Sequence, residues 1–326
     1  MSANRFTNTT KDLFFQNGIL VVILALIGVT GVIEPNFLTV RNLLNVLRQN
    51  AVIGIVACGM TYCIISGAYD LSVGSVVSLA GVITILSINA GVNEFLAILW
   101  ALLAGAAVGL VNGTLISSIR GRSGEAFIIT YGMQVVVASI ALFPSNGLFI
   151  SGKVSEGFFK AIGRNYWPII IFLGIAVLME VALKKTRYGR KMAYIGSNMN
   201  VAKMSGIRVT PLRISFFMIS GLLSAAAGVL LCSRVTSSNP TAGVGFEMDA
   251  IAAVVVGGTS TAGGKGSVLR TVVGAIVIGT MGNALNILGI TAYHQQIVKG
   301  MLIVVAVSLD IWNKHLSSRR VVHEKA

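Results

Sequence analysis

Acidic side chains are the natural first place to look for chemistry here, because only 11 of the 326 residues are Asp or Glu. Asp70 stands in GAYDLSVGS, and Glu247 and Asp249 stand in GFEMDAIAAVVV. A carboxylate held at membrane depth would serve as a proton or cation site. Each of these three, however, comes directly before or at the start of an apolar run. There it would accept bonds from the orphan N–H groups of a first helical turn and meet the favourable end of the helix dipole. Helix-starting, structural roles are therefore expected for Asp70, Glu247 and Asp249. Their matching settings hint at a weak internal duplication. Glu180, near the end of another apolar run, is expected to reach out to the membrane surface.

Other reactive patterns fail on inspection. GGTSTAGGKGS (257–267) invites comparison with a phosphate-binding loop, but Gly266 follows Lys265 where Ser or Thr is required, and Thr259 holds the place of the first glycine. It reads better as a loop joining a broken helix. Cys58, Cys63 and Cys232 lie in apolar segments without a CxxC pair or a histidine cluster, and His294, His315 and His323 are isolated. No nucleophile–base pair is visible. The sequence predicts no catalytic residue, no metal site and no cofactor. Asn112, Gln134, Asn283 and Asn286 are the side chains placed to hydrogen-bond a neutral polyol along a pathway. Each taken singly serves equally well as glue between helices.

The elements that must hold these groups are apolar. The chain is 55% hydrophobic and 11% charged, with a mean hydropathy of +0.83. That composition predicts an all-α polytopic membrane protein. Spans are expected at about 14–33, 48–65, 71–90, 95–119, 126–142, 167–183, 212–232, 268–288 and 295–311. With a short piece at 248–256, this gives about ten transmembrane or partly spanning helices, one of them short or broken. Residues 36–47 read as a separate amphipathic piece lying at the interface, and 144–166 as a polar segment with a short amphipathic stretch around Phe158-Phe159. The first apolar run ends at Ile33-Glu34-Pro35 with no small-residue cleavage site, so it is read as a retained span. Gly105, Gly109 and Gly113, and Gly221, Ala225 and Gly228, mark close helix packing.

One long polar island interrupts the interior, TRYGRKMAYIGSNMNVAKMSGIRVTPLR (186–213). It carries Arg187, Arg190, Lys191, Lys203, Arg208 and Arg213 and no carboxylate. Basic residues gather between spans and at the ends, which accounts for the net charge of +14 without invoking nucleic acid. That distribution places both termini, the island and the basic tail (313–326) on the cytoplasmic side. A single transmembrane domain, 1–326, is expected, with a cytoplasmic polar region at about 184–212.

Six blocks then carry a resemblance. GMTYCIISGAYDLSVGS (59–75), NGTLISSIRGR (112–122), AFIITYGM (126–133), TRYGRKMAYIGSNMNVAKMSGI (186–207), NPTAGVGFEMDAIAAVVVGGTSTAGGKGS (239–267) and the stretch from Asn286 to Asp310 resemble the permease subunit of ribose-type ABC sugar importers. The likeness runs from about residue 35 to 312, and within the family it leans towards the ribose and allose permeases, allose on overall impression. It implies a bacterial inner-membrane protein that moves a neutral monosaccharide by alternating access. It also implies a second permease copy (identical or a paralogue), two cytoplasmic ATPase subunits that hydrolyse the ATP, and a periplasmic sugar-binding protein. By the same resemblance the ATPase would dock on the island, through Arg187, Gly189, Arg190, Asn200, Ala202, Ser205 and Gly206. The sequence departs from the family at Tyr69 (usually Ile), at Ser123-Gly124-Glu125 (usually Val-Pro or Ile-Pro before Ala-Phe-Ile) and at Arg270 (usually Gly). A self-sufficient ion-coupled or facilitative carrier is the alternative. A membrane enzyme is disfavoured by the lack of a catalytic constellation.

Overall fold

The computed structural model describes residues 25, 27–119, 123–291, 293–305 and 308. Eleven helices are bounded among them: α1 (Val40–Ile65), α2 (Val73–Asn89), α3 (Glu94–Ser118), α4 (Ser123–Leu142), α5 (Phe158–Ile162), α6 (Trp167–Lys185), α7 (Arg187–Ser197), α8 (Met199–Met204), α9 (Val209–Val235), α10 (Phe246–Val256) and α11 (Val268–Ile287). Six of them are long and apolar enough to cross a membrane: α1, α3, α4, α6, α9 and α11. The chain is thus an all-α polytopic membrane protein. The expected span at 14–33 lies largely outside the described residues, as do the basic loop 120–122 and the tail 313–326.

One compact unit comprises 47–275. Its centre is the antiparallel packing of α3 on α9, made possible by the absence of side chains at the crossing. A Cβ added at Gly109 would sit 2.2 Å from the Phe217 carbonyl oxygen, and one at Gly221 would sit 2.1 Å from that of Gly105. Without a hydrophobic drive between helices in lipid, such close backbone approach is what holds them together. α2, buried along most of its length, fills the space beside them. Its Val76, Leu79 and Ile85 join Ala101, Val137, Phe159 and Val229 in the main apolar core.

The 144–166 segment is tied down rather than loose. β1 (Ile150–Ser151) pairs antiparallel with β2 (Ser237–Ser238), with Ile150 opposite Ser238. The Glu94 carboxylate accepts from Phe158 N and Phe159 N at 3.0 and 2.9 Å, closing the start of α5. At exposed Glu156, the hydrogen bond from Lys160 holds the carboxyl below its ordinary range, with Arg164 adding to it.

The other unit comprises 1–46 and 276–326. Here the reading of 36–47 needs correction. After a turn at 35–38, residues 40–47 are the first two turns of α1 itself, not a separate interfacial piece. Thr39 starts that helix, accepting from Asn42 N at 3.3 Å, and no Gly or Pro stands between Val40 and Ile53 to break it. Asn42 and Asn283 pair through their amides at 2.8 Å, and Met281 and Leu285 pack with Ile27, Val277, Ile290 and Leu302.

Candidate functional site

The basic island folds as two short helices at the end of α6. Thr186 stops α6 by turning to extended backbone, and its hydroxyl accepts from Gly189 N at 3.3 Å to start α7. Asn198 repeats the device for α8, its Oδ1 accepting from Asn200 N and Val201 N at 3.0 and 3.1 Å. α8 ends at Gly206, whose φ of +76° suits glycine, with Ile207 N returning to the Ala202 carbonyl.

α7 is strongly two-faced. Gly189, Met192 and Ile195 are buried, while Arg187, Arg190, Lys191 and Tyr194 are exposed. Between α7 and α8 lies a cavity of about 490 Å³, lined by Arg187, Arg190 and Lys191 together with Val201, Ala202 and Ile207. Ala202 is buried, whereas Val201 and Met204 project outward, Met204 being 88% exposed. A recess lined by both apolar and cationic side chains suits a protein partner that brings an apolar projection and acidic side chains.

The buried side of the island is locked to the bundle. A Cβ at Gly189 would lie 1.9 Å from the Leu183 carbonyl oxygen, and one at Gly196 would lie 1.8 Å from that of Ile65. Gly264 N donates to the same Ile65 carbonyl at 2.8 Å. The glycine-rich stretch 257–267 is therefore a packing surface between the end of α1 and the end of α7. Tyr188 hydroxyl and Ser215 Oγ share a hydrogen bond at 2.7 Å, and the ring stands edge-on to Phe216. Burial pushes the Tyr188 phenol up to about 12. Displacement of the island would thus reach α1 and α9 directly.

Glu180 does not reach out to the surface as its position suggests. It accepts from Ser267 Oγ at 2.9 Å, from Val268 N at 2.6 Å and, more weakly, from Leu269 N at 3.4 Å. It caps α11 from a different helix, using orphan amides that α11 cannot satisfy itself.

The acidic and amide side chains singled out in the sequence occupy several distinct settings. Asp70 is 1% exposed. Its Oδ1 accepts from Ser72 N at 3.2 Å and Ser72 Oγ at 2.7 Å, and Ser72 is the residue that precedes α2. Asn112 Nδ2 donates to Ser72 Oγ at 2.9 Å. Ser220 Oγ stands against the Asp70 carboxylate, and Asn112 Oδ1 has no hydrogen-bond partner. Gln134 Nε2 donates to Glu247 Oε1 at 3.2 Å. Asn283 pairs with Asn42, and Asn286 Oδ1 accepts from Gln295 Nε2 at 2.7 Å. The four polyol candidates, Asn112, Gln134, Asn283 and Asn286, therefore each engage a different partner. Sequence reasoning passed over Ser72 and Ser220. The Asp-x-Ser spacing signals the first, as an Asx turn, and nothing local signals the second. Among the described residues no group of three or more His, Cys, Asp or Glu could hold a metal ion.

Comparison with known proteins places this architecture. The model of the family described as "Branched-chain amino acid transport system / permease component" matches residues 42–307. The chain is 39% identical over 310 residues to the ribose import permease protein RbsC of Escherichia coli strain K12, covering 92% of this chain and 95% of that one. Identity to RbsC of Bacillus subtilis strain 168 is 40% over 290 residues, covering 87% and 89%. The D-allose transport system permease protein AlsC of E. coli strain K12 is 36% identical over 299 residues, covering 90% of each chain.

Proposed function

The chain belongs to the family of branched-chain amino acid transport system permease components, and from that premise we propose that it is the permease subunit of an ATP-driven sugar importer of the ribose/allose type. It is a multi-pass protein of a bacterial inner membrane. The observation that carries this reading is identity of 36–40% to sugar permeases along almost the whole length of each. Identity is higher to the ribose than to the allose permeases, so ribose is the narrower reading.

In this reading the chain hydrolyses nothing. Two ATPase subunits dock at the island, with Arg187, Gly189, Arg190, Asn200, Ala202, Ser205 and Gly206 forming or shaping the recess. A second permease copy completes the pathway, and a periplasmic binding protein delivers the sugar. Closure of the ATPases pushes α7 and α8, and the contacts of Gly196 with Ile65 and of Tyr188 with Ser215 pass that push to α1 and α9. The bundle then exchanges inward and outward openings, which requires that the ATPases bind the two states unequally.

A second reading, a carrier driven by an ion gradient, gains support from one observation. Asp70, Glu247 and Asp249 are 1%, 6% and 8% exposed, and buried ionisable groups are what an ion-coupled carrier needs. One experiment separates the two. The chain is purified in mild detergent from a host that carries its neighbouring genes, its companions are identified, and the assembly is placed in liposomes. Ribose uptake that needs a co-purified ATPase and ATP supports the importer. Uptake driven by a proton or sodium gradient without ATP would overturn it.

A further inference from the structure

The start of α10 holds a carboxylate that also reaches a second helix. α10 begins after Gly245, which takes a φ of +88°, and carries Glu247 and Asp249 in its first turn, both buried. Glu247 Oε1 accepts from Gln134 Nε2 at 3.2 Å, the backbone at Gly245 and Glu247 also approaches the carboxylate, and Oε2 is left without a side-chain donor. A Cβ on Gly74 would lie 2.3 Å from that Oε2, so α2 supports the carboxylate closely with bare backbone. A buried carboxylate oxygen left without a donor is costly unless something else supplies one.

The helix that supplies Gln134 shows where a donor could come from. On α4, Phe127, Tyr131 and Gln134 recur at spacings of four and three, which puts them on one stripe. Phe127 is 45% exposed, Tyr131 is 57% exposed and Gln134 is partly exposed. A phenol and an amide set against lipid tails would find no hydrogen-bond partner there, so this stripe suits water or a polar solute better than lipid. An aromatic ring, an amide and a carboxylate in sequence match the needs of a neutral polyol. The ring takes the apolar C–H face of the sugar, the amide both gives and accepts, and the carboxylate accepts from a hydroxyl.

We propose that Glu247, oriented by Gln134, accepts a hydrogen bond from a hydroxyl of the sugar in transit along this stripe, and so reads hydroxyl position within the membrane. The proposal rests on the sugar-import reading. It adds a selection step to whatever selection a binding protein makes.

The test uses the whole importer in liposomes, with saturating binding protein, and compares uptake of ribose with that of its monodeoxy analogues. Because the same binding protein serves every variant, its own preferences cancel in the ratio of variant to wild type. A site built to hydrogen-bond a hydroxyl rejects the analogue that lacks it. Wild type should move at least one analogue about ten-fold more slowly than ribose, and Glu247→Gln should shrink that ratio to about two-fold while slowing ribose itself. If Glu247→Gln fails to reach the membrane, Gln134→Ala, which keeps the carboxylate, should shrink the same ratio. Analogue ratios that match wild type in a properly inserted variant would overturn the role of Glu247, as would a wild type that does not discriminate. A wild type that moves no sugar at all would overturn the import reading, and this inference with it.

Discussion

Glu180 is the side chain whose role is most plainly drawn. A carboxylate at the end of one membrane helix accepts from Ser267 Oγ and Val268 N at the start of another, the second at 2.6 Å. Charge-assisted bonds of this kind contribute about 1.5–3 kcal/mol, and here they satisfy amides that α11 leaves open. Glu180→Ala should therefore accelerate hydrogen exchange at the amides of Val268 and Leu269 by roughly ten-fold, with little change in α3 or α9. Glu180→Gln, which keeps an acceptor, should show a smaller effect. Unaltered exchange at these amides in the alanine variant would mean that water replaces the cap at no cost. Asp70 is the contrasting case. One oxygen serves the start of α2 through Ser72 while Ser220 of α9 stands against the carboxylate, so the cap accounts for only part of the group.

Among the helices, glycine decides what can touch. The Cβ of Gly109→Ala would enter within 2.2 Å of a backbone oxygen, which cannot rotate away, so α3 and α9 would have to part. Overpacking of that order costs about 1–3 kcal/mol. Gly174 of α6 has nothing within 4 Å of an added Cβ, so Gly174→Ala should be neutral or gain up to about 1 kcal/mol of helix propensity. Thermal inactivation of the detergent-solubilised protein should fall several degrees for the first and not for the second. Equal midpoints would show that α3 and α9 do not pack as described. The same glycines were legible in the sequence, because in lipid small residues at a spacing of four announce close packing on their own. The long spans were legible for a similar reason, with 95–119 expected and Glu94–Ser118 found, since apolar length is a local signal. Two of the features that were missed show why. The join of 36–47 to α1 depended on the absence of a breaker, which amphipathic patterning obscured. The pairing of Gln134 with Glu247 spans 113 residues, a contact that no short-range pattern encodes.

For the whole molecule the question is how force enters, and the basic recess between α7 and α8 is where the answer can be tested. Arg187, Arg190 and Lys191 line it, and the stretch 186–213 has no carboxylate to neutralise them internally. A partner docking there must supply the negative charge, so assembly should weaken with ionic strength as exposed charges are screened over about 10 Å at 0.1 M salt. The apolar part of the recess should retain some binding at any salt concentration. Substitution needs care at two of the expected positions. Ala202 is buried, and Gly206 has a φ of +76°, so a side chain there would strain the turn whatever the partner does. The outward residues give a cleaner reading. The double variant Arg190→Glu, Lys191→Glu should insert normally yet retain about ten-fold less ATPase subunit in pull-down at low salt, with sugar uptake falling in parallel. Val201→Glu should also weaken docking, through the exposed apolar part of the recess. Arg190→Lys, which keeps the charge, should behave close to wild type. If the double variant kept its full complement of ATPase and its uptake, the island would be no more than a positively charged loop, and the drive would have to enter through another surface of the bundle.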